Sequence, residues 1–170
     1  MGSKSRGSSQ RKGRSRPFTP RWKPALNTLE IAASKASRLS PEVVASLRKS
    51  LDDSLGDLTR AERSQVAWRD LRMACVMSRR VEVLGVVKGL GGVIDTAFVA
   101  LDAIRERSMA SGEWRHCIPS DRDLAALREM AHCHVFQLEQ LSAGEFERAL
   151  LAARSEIAAM PRLMGPSLAA

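Results

Sequence analysis

The stretch SDRDLAALREMAHCHVFQLEQLSAGEFERALLAARSEI, residues 120–157, decides the fold class. Leu124, Leu127, Ala131, His134, Leu138 and Leu141 recur at three- and four-residue intervals, the spacing that collects apolar side chains on one face of a helix. Ser120 and Asp123 precede that stripe with the spacing of a capping box, in which each side chain satisfies the other residue's backbone N–H. Ser142 and Glu145 repeat the device, and Phe146, Leu150, Ala153 and Ile157 continue the pattern. Two capped amphipathic helices joined by a short corner are therefore expected here.

Working outward, the same signals recur. Ser40, Pro41 and Glu42 form a helix start, with Val43, Val44, Leu47, Leu51 and Leu55 behind it and Gly56 as a stop. Thr59 and Glu62 match a capping box and predict a long helix over residues 60–87, whose inner side is Ala67, Leu71, Ala74, Cys75 and Val81. GLGG at 89–92 should break it. Val93, Ile94, Ala97, Phe98, Leu101 and Ile104 then form a further stripe, ending near Gly112. Leu26, Leu29, Ala33 and Ala36 give a weaker one over residues 26–38. EWRHCIP, residues 113–119, is the only extended piece expected. Helices this short are marginal alone, so the stripes must bury one another. The expectation is an all-α protein, a compact bundle of five or six helices behind a disordered basic N-terminal arm.

Residues 1–24 form that arm, with a Pro-rich strap, PFTPRWKP, at 17–24. Residues 25–160 form the helical domain, and 161–170 should fray. The arm carries the whole net charge. Lys4, Arg6, Arg11, Lys12, Arg14, Arg16, Arg21 and Lys23 precede the first acid, Glu30, and the chain total is +8. The body is formally neutral, with its basic residues matching the 19 acidic ones in number. After Met1, residues 2–16 have no apolar side chain with which to offset the entropy cost of ordering. No apolar run approaches the ~20 residues that span a bilayer. The N-terminus lacks the apolar core of a secretory signal. An odd cysteine set (Cys75, Cys117 and Cys133) fits free thiols in a reducing cytoplasm.

Few residues point to chemistry. His116, Cys117, His132, Cys133 and His134 lack the paired spacing of a metal site, and His132 and His134 would point about 200° apart on one helix. GVVKGLGG, residues 85–92, lacks the Lys-Ser/Thr pair of a phosphate loop and follows a helix. No nucleophile–base pair stands out. The sequence therefore predicts no enzyme, no metal and no cofactor. The arm, with Trp22 among its charges, suits phosphate contacts and base stacking. Arg69, Arg72, Arg79 and Arg80 fall within an arc of about 100° on the long helix and form a possible second basic surface.

HVFQLEQLSAGEFERAL, residues 134–150, resembles a group of small basic helical proteins of temperate phages and bacterial mobile elements. Their pattern is His-x-x-Gln-Leu, a short spacer, Ser/Thr, then Glu-hydrophobic-Glu-x-Ala-Leu. His134, Gln137, Leu138, Ser142, Glu145, Phe146, Glu147, Ala149 and Leu150 match it. The chain departs at Val135, where the group often has Asp. The resemblance implies a helical body and, from labels some of these proteins carry, a transcriptional regulator. The residues themselves admit a structural role: His134 and Gln137 can hydrogen-bond neighbouring helices, and Ser142 and Glu145 cap the last one. The functional expectation is a nucleic-acid-associated accessory or regulatory protein, binding salt-dependently and without sequence preference. The alternative is a helical protein-interaction module, for self-association or for a host or phage protein, with a passive solubilising tail. Neither involves a membrane, and both place the protein in the cytoplasm.

Overall fold

A computed structural model describes residues 26–159, with side chains described from residue 30. The basic arm, its strap and the 161–170 tail lie outside the described residues. Six helices follow in order: α1 Leu26–Ala36, α2 Pro41–Asp57, α3 Ser64–Leu84, α4 Gly91–Ser108, α5 Asp121–Gln140 and α6 Ala143–Ala159. No strand is present among the described residues; one isolated antiparallel bridge joins Arg38 to Ser142.

The chain is organised around α3, which packs against α2, α4, α5 and α6. Ala74, Cys75, Val76, Met77 and Ser78 are all buried. Successive residues turn by about 100°, so five in a row cover the whole circumference. The stretch 74–78 of α3 is thus enclosed on every side, a stronger burial than the single inner face its periodicity implied. Trp68 fills the first half. Its indole is almost fully buried, its Nε1–H donates to the Leu101 carbonyl at 2.8 Å, and its ring meets Trp114 at 5.7 Å. Trp114 belongs to residues 113–119, which cross the bundle without regular secondary structure and hold on by an Nε1–H bond to Ser64 Oγ.

Three of the expected helix starts form as read. Ser40 Oγ accepts from Val43 N–H with Pro41 in the first turn. Ser120 and Asp123 make a full capping box. Ser142 and Glu145 make another at the head of α6, where each accepts from the other's backbone N–H. The Thr59–Glu62 box does not form. Thr59 Oγ1 donates instead to the Gly56 carbonyl, and α3 begins only at Ser64. The physical reason lies on either side of Thr59. Leu58 is buried, and the Asp57 carboxylate holds both Arg60 and Arg63, so residues 59–63 are wound into a turn under those two arginines. The other end of α3 also differs, stopping at Leu84. Gly85 takes the left-handed conformation at φ 80°, the usual helix terminator, and 89–92 follows as the loop into α4.

That loop is organised by one carboxylate. Glu82 Oε1 accepts the backbone N–H groups of Gly89, Leu90 and Gly91 at 2.9–3.1 Å. These are orphan donors at the start of α4, where negative charge is favoured. α3 therefore caps the helix that follows it. Replacing Glu82 with Ala should cost about 1–2 kcal/mol of stability in urea denaturation. Gln, which still offers an oxygen, should cost less. Equal losses for the two variants would show that carboxylate capping is not what holds the loop.

Candidate nucleic-acid interface

The nine arm residues read as phosphate or base contacts (Lys4, Arg6, Arg11, Lys12, Arg14, Arg16, Arg21, Trp22 and Lys23) lie outside the described residues. The second basic candidate is on α3, and the fold splits it. Arg72 turns towards α4. Its guanidinium lies 5.4 Å from the ring centroids of both Trp68 and Phe98 and pairs with Asp102 at 2.6 Å. Its side chain is only 12% exposed. Arg79 stacks on the same Phe98 ring at 4.3 Å and pairs with Asp95. Arg80 turns the other way and pairs with Glu156 of α6 at 2.5 Å. Arg69 is exposed on the first half of the helix.

Three of the four arginines thus spend their charge on acids of neighbouring helices. The arc that unites them on a helical wheel does not make an uncommitted cationic strip. Phe98, Asp95 and Asp102 of α4 and Glu156 of α6 supply the partners, and none of these could be assigned to the arginines before α3 was placed beside α4 and α6. A cation over an aromatic face is worth about 0.5–1 kcal/mol when exposed and more when desolvated. The Arg72 stem also covers apolar surface. Truncating Arg72 to Ala should lower stability by about 1–3 kcal/mol in chemical denaturation. Met, which keeps the stem, should recover part of that loss. A full loss in Met would place the contribution in the charge rather than the packing.

The residues of the 134–150 block have structural partners. His134 and Gln137 are buried on α5, and both reach Ser78 of α3. His134 Nδ1 lies 2.7 Å from Ser78 Oγ, and Gln137 Nε2 donates to the Ser78 carbonyl at 3.1 Å. Ser78 is itself almost fully buried, so this serine–histidine pair offers no surface to a substrate. Ser142 and Glu145 are occupied as the α6 cap, and the hydrogen bonds from Ser142 hold the Glu145 carboxyl below its usual range. His132 is exposed while His134 is buried, so the two point apart on α5.

Burial presses the His134 pKa from 6.5 down to about 4. The unfolded chain therefore takes up a proton near pH 6.5 that the folded chain refuses until about pH 4. Stability is complete above the unfolded value, falls as the pH drops through that window, and levels off below it. The loss should reach about 2 kcal/mol between pH 6.5 and pH 5. In His134→Gln this part of the pH dependence should vanish. Parallel profiles for the two proteins in urea denaturation would contradict it.

A concave surface lies elsewhere, between α2 and α5. Two clefts of about 700 and 260 Å³ share Arg48, Asp52 and Glu139. Leu39, Pro41, Val44 and Ala45 line the first; Val135 and Phe136 line the second. Arg48 crosses between them to Glu139 at 3.4 Å. Phe136 is half exposed. The periodicity of α5 omits Phe136 from its buried stripe, and that exclusion was the one available signal of the groove. No family model, curated protein or solved structure matches this chain.

Proposed function

We propose that this is a non-enzymatic, nucleic-acid-associated accessory or regulatory protein of a mobile element, attached to its partner by the N-terminal arm. The observation that carries this reading is the separation of charge. Every unit of the net +8 belongs to the arm, while the body is balanced. The pairing of Arg72, Arg79 and Arg80 within the fold supports the same division, because it leaves the arm as the chain's concentrated cationic element. Lysine and arginine contacts to phosphate release condensed counterions and give affinity without sequence preference. Trp22, between Arg21 and Lys23, adds a ring on which an unpaired base can stack.

In this reading the helical body sets what is brought to the nucleic acid. The second reading, a helical protein-interaction module, is favoured by the α2–α5 groove and is compatible with the first.

The test is the salt dependence of binding to a duplex of arbitrary sequence, followed by fluorescence anisotropy. With about four or five phosphates contacted, log K should fall against log salt with a slope of roughly −4. A full-length variant with the eight arm Lys and Arg residues changed to Gln should lose most of that slope. Equal binding by the two proteins, or no binding by either at physiological salt, would overturn the proposal.

A further inference from the structure

The six helices are not held equally. Each of α2 to α6 places side chains in the common core, Val44 and Leu51 of α2 and Ala149 and Ala153 of α6 among them. Every described side chain of α1, from Glu30 to Ala36, is exposed, although Ile31, Ala32, Ala33 and Ala36 are apolar. Most of a helix's stability in a protein comes from packing an apolar face, and an isolated helix shorter than about 12–15 residues is marginal in water. α1 has 11 residues, and Asn27, Thr28, Ile31 and Ser34 among them are only middling helix formers.

What holds α1 is gathered at its C-terminal end. The helix packs on α6, where Lys35 pairs with Glu147 at 2.8 Å. Both side chains are more than half exposed, and an ion pair in that setting contributes little. The Lys35 carbonyl sits against Gly144, so close that a Cβ on Gly144 would lie 3.0 Å from it. Gly144 is therefore a seat that a larger residue would fill. Just past the helix, two backbone hydrogen bonds clip residues 37–39 to the α5–α6 corner: Leu39 N–H to the Leu141 carbonyl and Ala143 N–H to the Ser37 carbonyl. The chain is thus anchored firmly at Ser37 and Leu39 and lightly before them.

We propose that α1 is a detachable helix, docked on α6 through the Gly144 seat and the Lys35–Glu147 pair, that melts while the α2–α6 bundle stays closed. The hinge is Ser37, where the backbone clip begins. Melting lengthens the link between the arm and that hinge from about 16 Å to as much as about 36 Å. The arm then reaches phosphates beyond the range of the docked state. That use rests on the nucleic-acid reading; the melting itself does not.

The test is hydrogen exchange of the full chain without nucleic acid, read amide by amide by NMR, so its outcome is independent of what the arm binds. Amides of residues 30–36 should exchange about 10–100-fold more slowly than in an unfolded chain, while those of the buried stretch of α3 should be slower by further orders of magnitude. Gly144→Ala should speed the exchange of α1 by about fivefold or more, because the new methyl group fills the seat. Circular dichroism should show that α6, which gains a better helix former, keeps its helix in that variant. Protection of α1 equal to that of α3 would overturn the proposal, since α1 would then open only with the bundle. No protection at all would also overturn it, since there would be no docked helix to release. So would unchanged or slower exchange of α1 in Gly144→Ala, which would place its hold somewhere other than the seat.

Discussion

Enclosing Ala74 to Ser78 of α3 on every side is the constraint from which the remaining structure follows. A helix buried around its whole circumference needs apolar neighbours in all directions, and α2, α4, α5 and α6 supply them. It must also satisfy any polar side chain it takes inside, since an unpartnered buried hydroxyl costs on the order of 1–3 kcal/mol. Ser78 is that side chain and His134 is its partner, while Gln137 donates to the Ser78 backbone carbonyl. Their bonds fix the rotation of α5 against α3. With α5 fixed, its capping box at Ser120 and its corner at Leu141 place the ends of α4 and α6. Arg107 on α4 reaches Asp123 in that box at 2.6 Å. Burial works against the Asp123 charge, yet the bonds from Ser120 and Arg107 still hold its carboxyl below the usual range.

The same enclosure explains the fate of the arginines. Around residues 74–78 α3 has little surface left, so the cationic side chains of Arg72, Arg79 and Arg80 leave along the seams with α4 and α6. Those seams carry Asp95, Asp102 and Glu156, and the charges pair where they emerge. What looks on the sequence like one basic face becomes two sets of inter-helix clasps. The body's acids and bases match in number, and the net charge of the chain equals that of the arm.

Most of the fold was legible because its signals are local. The starts at Ser40, Ser120 and Ser142 rest on residues three apart, and periodicity finds the stripes of α4 and α5. The Thr59–Glu62 box carried the same local signal and failed, because burial of Leu58 and the double grip of Asp57 are tertiary effects. The depth of α3 was hidden for a related reason: Met77 and Ser78 lie off the inner stripe and are buried only because further helices close over them. Periodicity also could not show that α1 stands exposed, since its weak stripe predicts a face without naming what covers it. Of the candidate interface, the charge asymmetry was fully visible. The pairing of Arg72 with Asp102, thirty positions away, was not.

The account's central claim is that attachment belongs to the arm and that the body's arginines serve the fold. The most direct measurement is an amide and side-chain NMR titration of the ¹⁵N-labelled full chain with a short duplex. Shift changes should concentrate in residues 1–24 and leave the guanidinium signals of Arg72, Arg79 and Arg80 in place. Movement of those guanidinium signals, with the arm unaffected, would contradict the account.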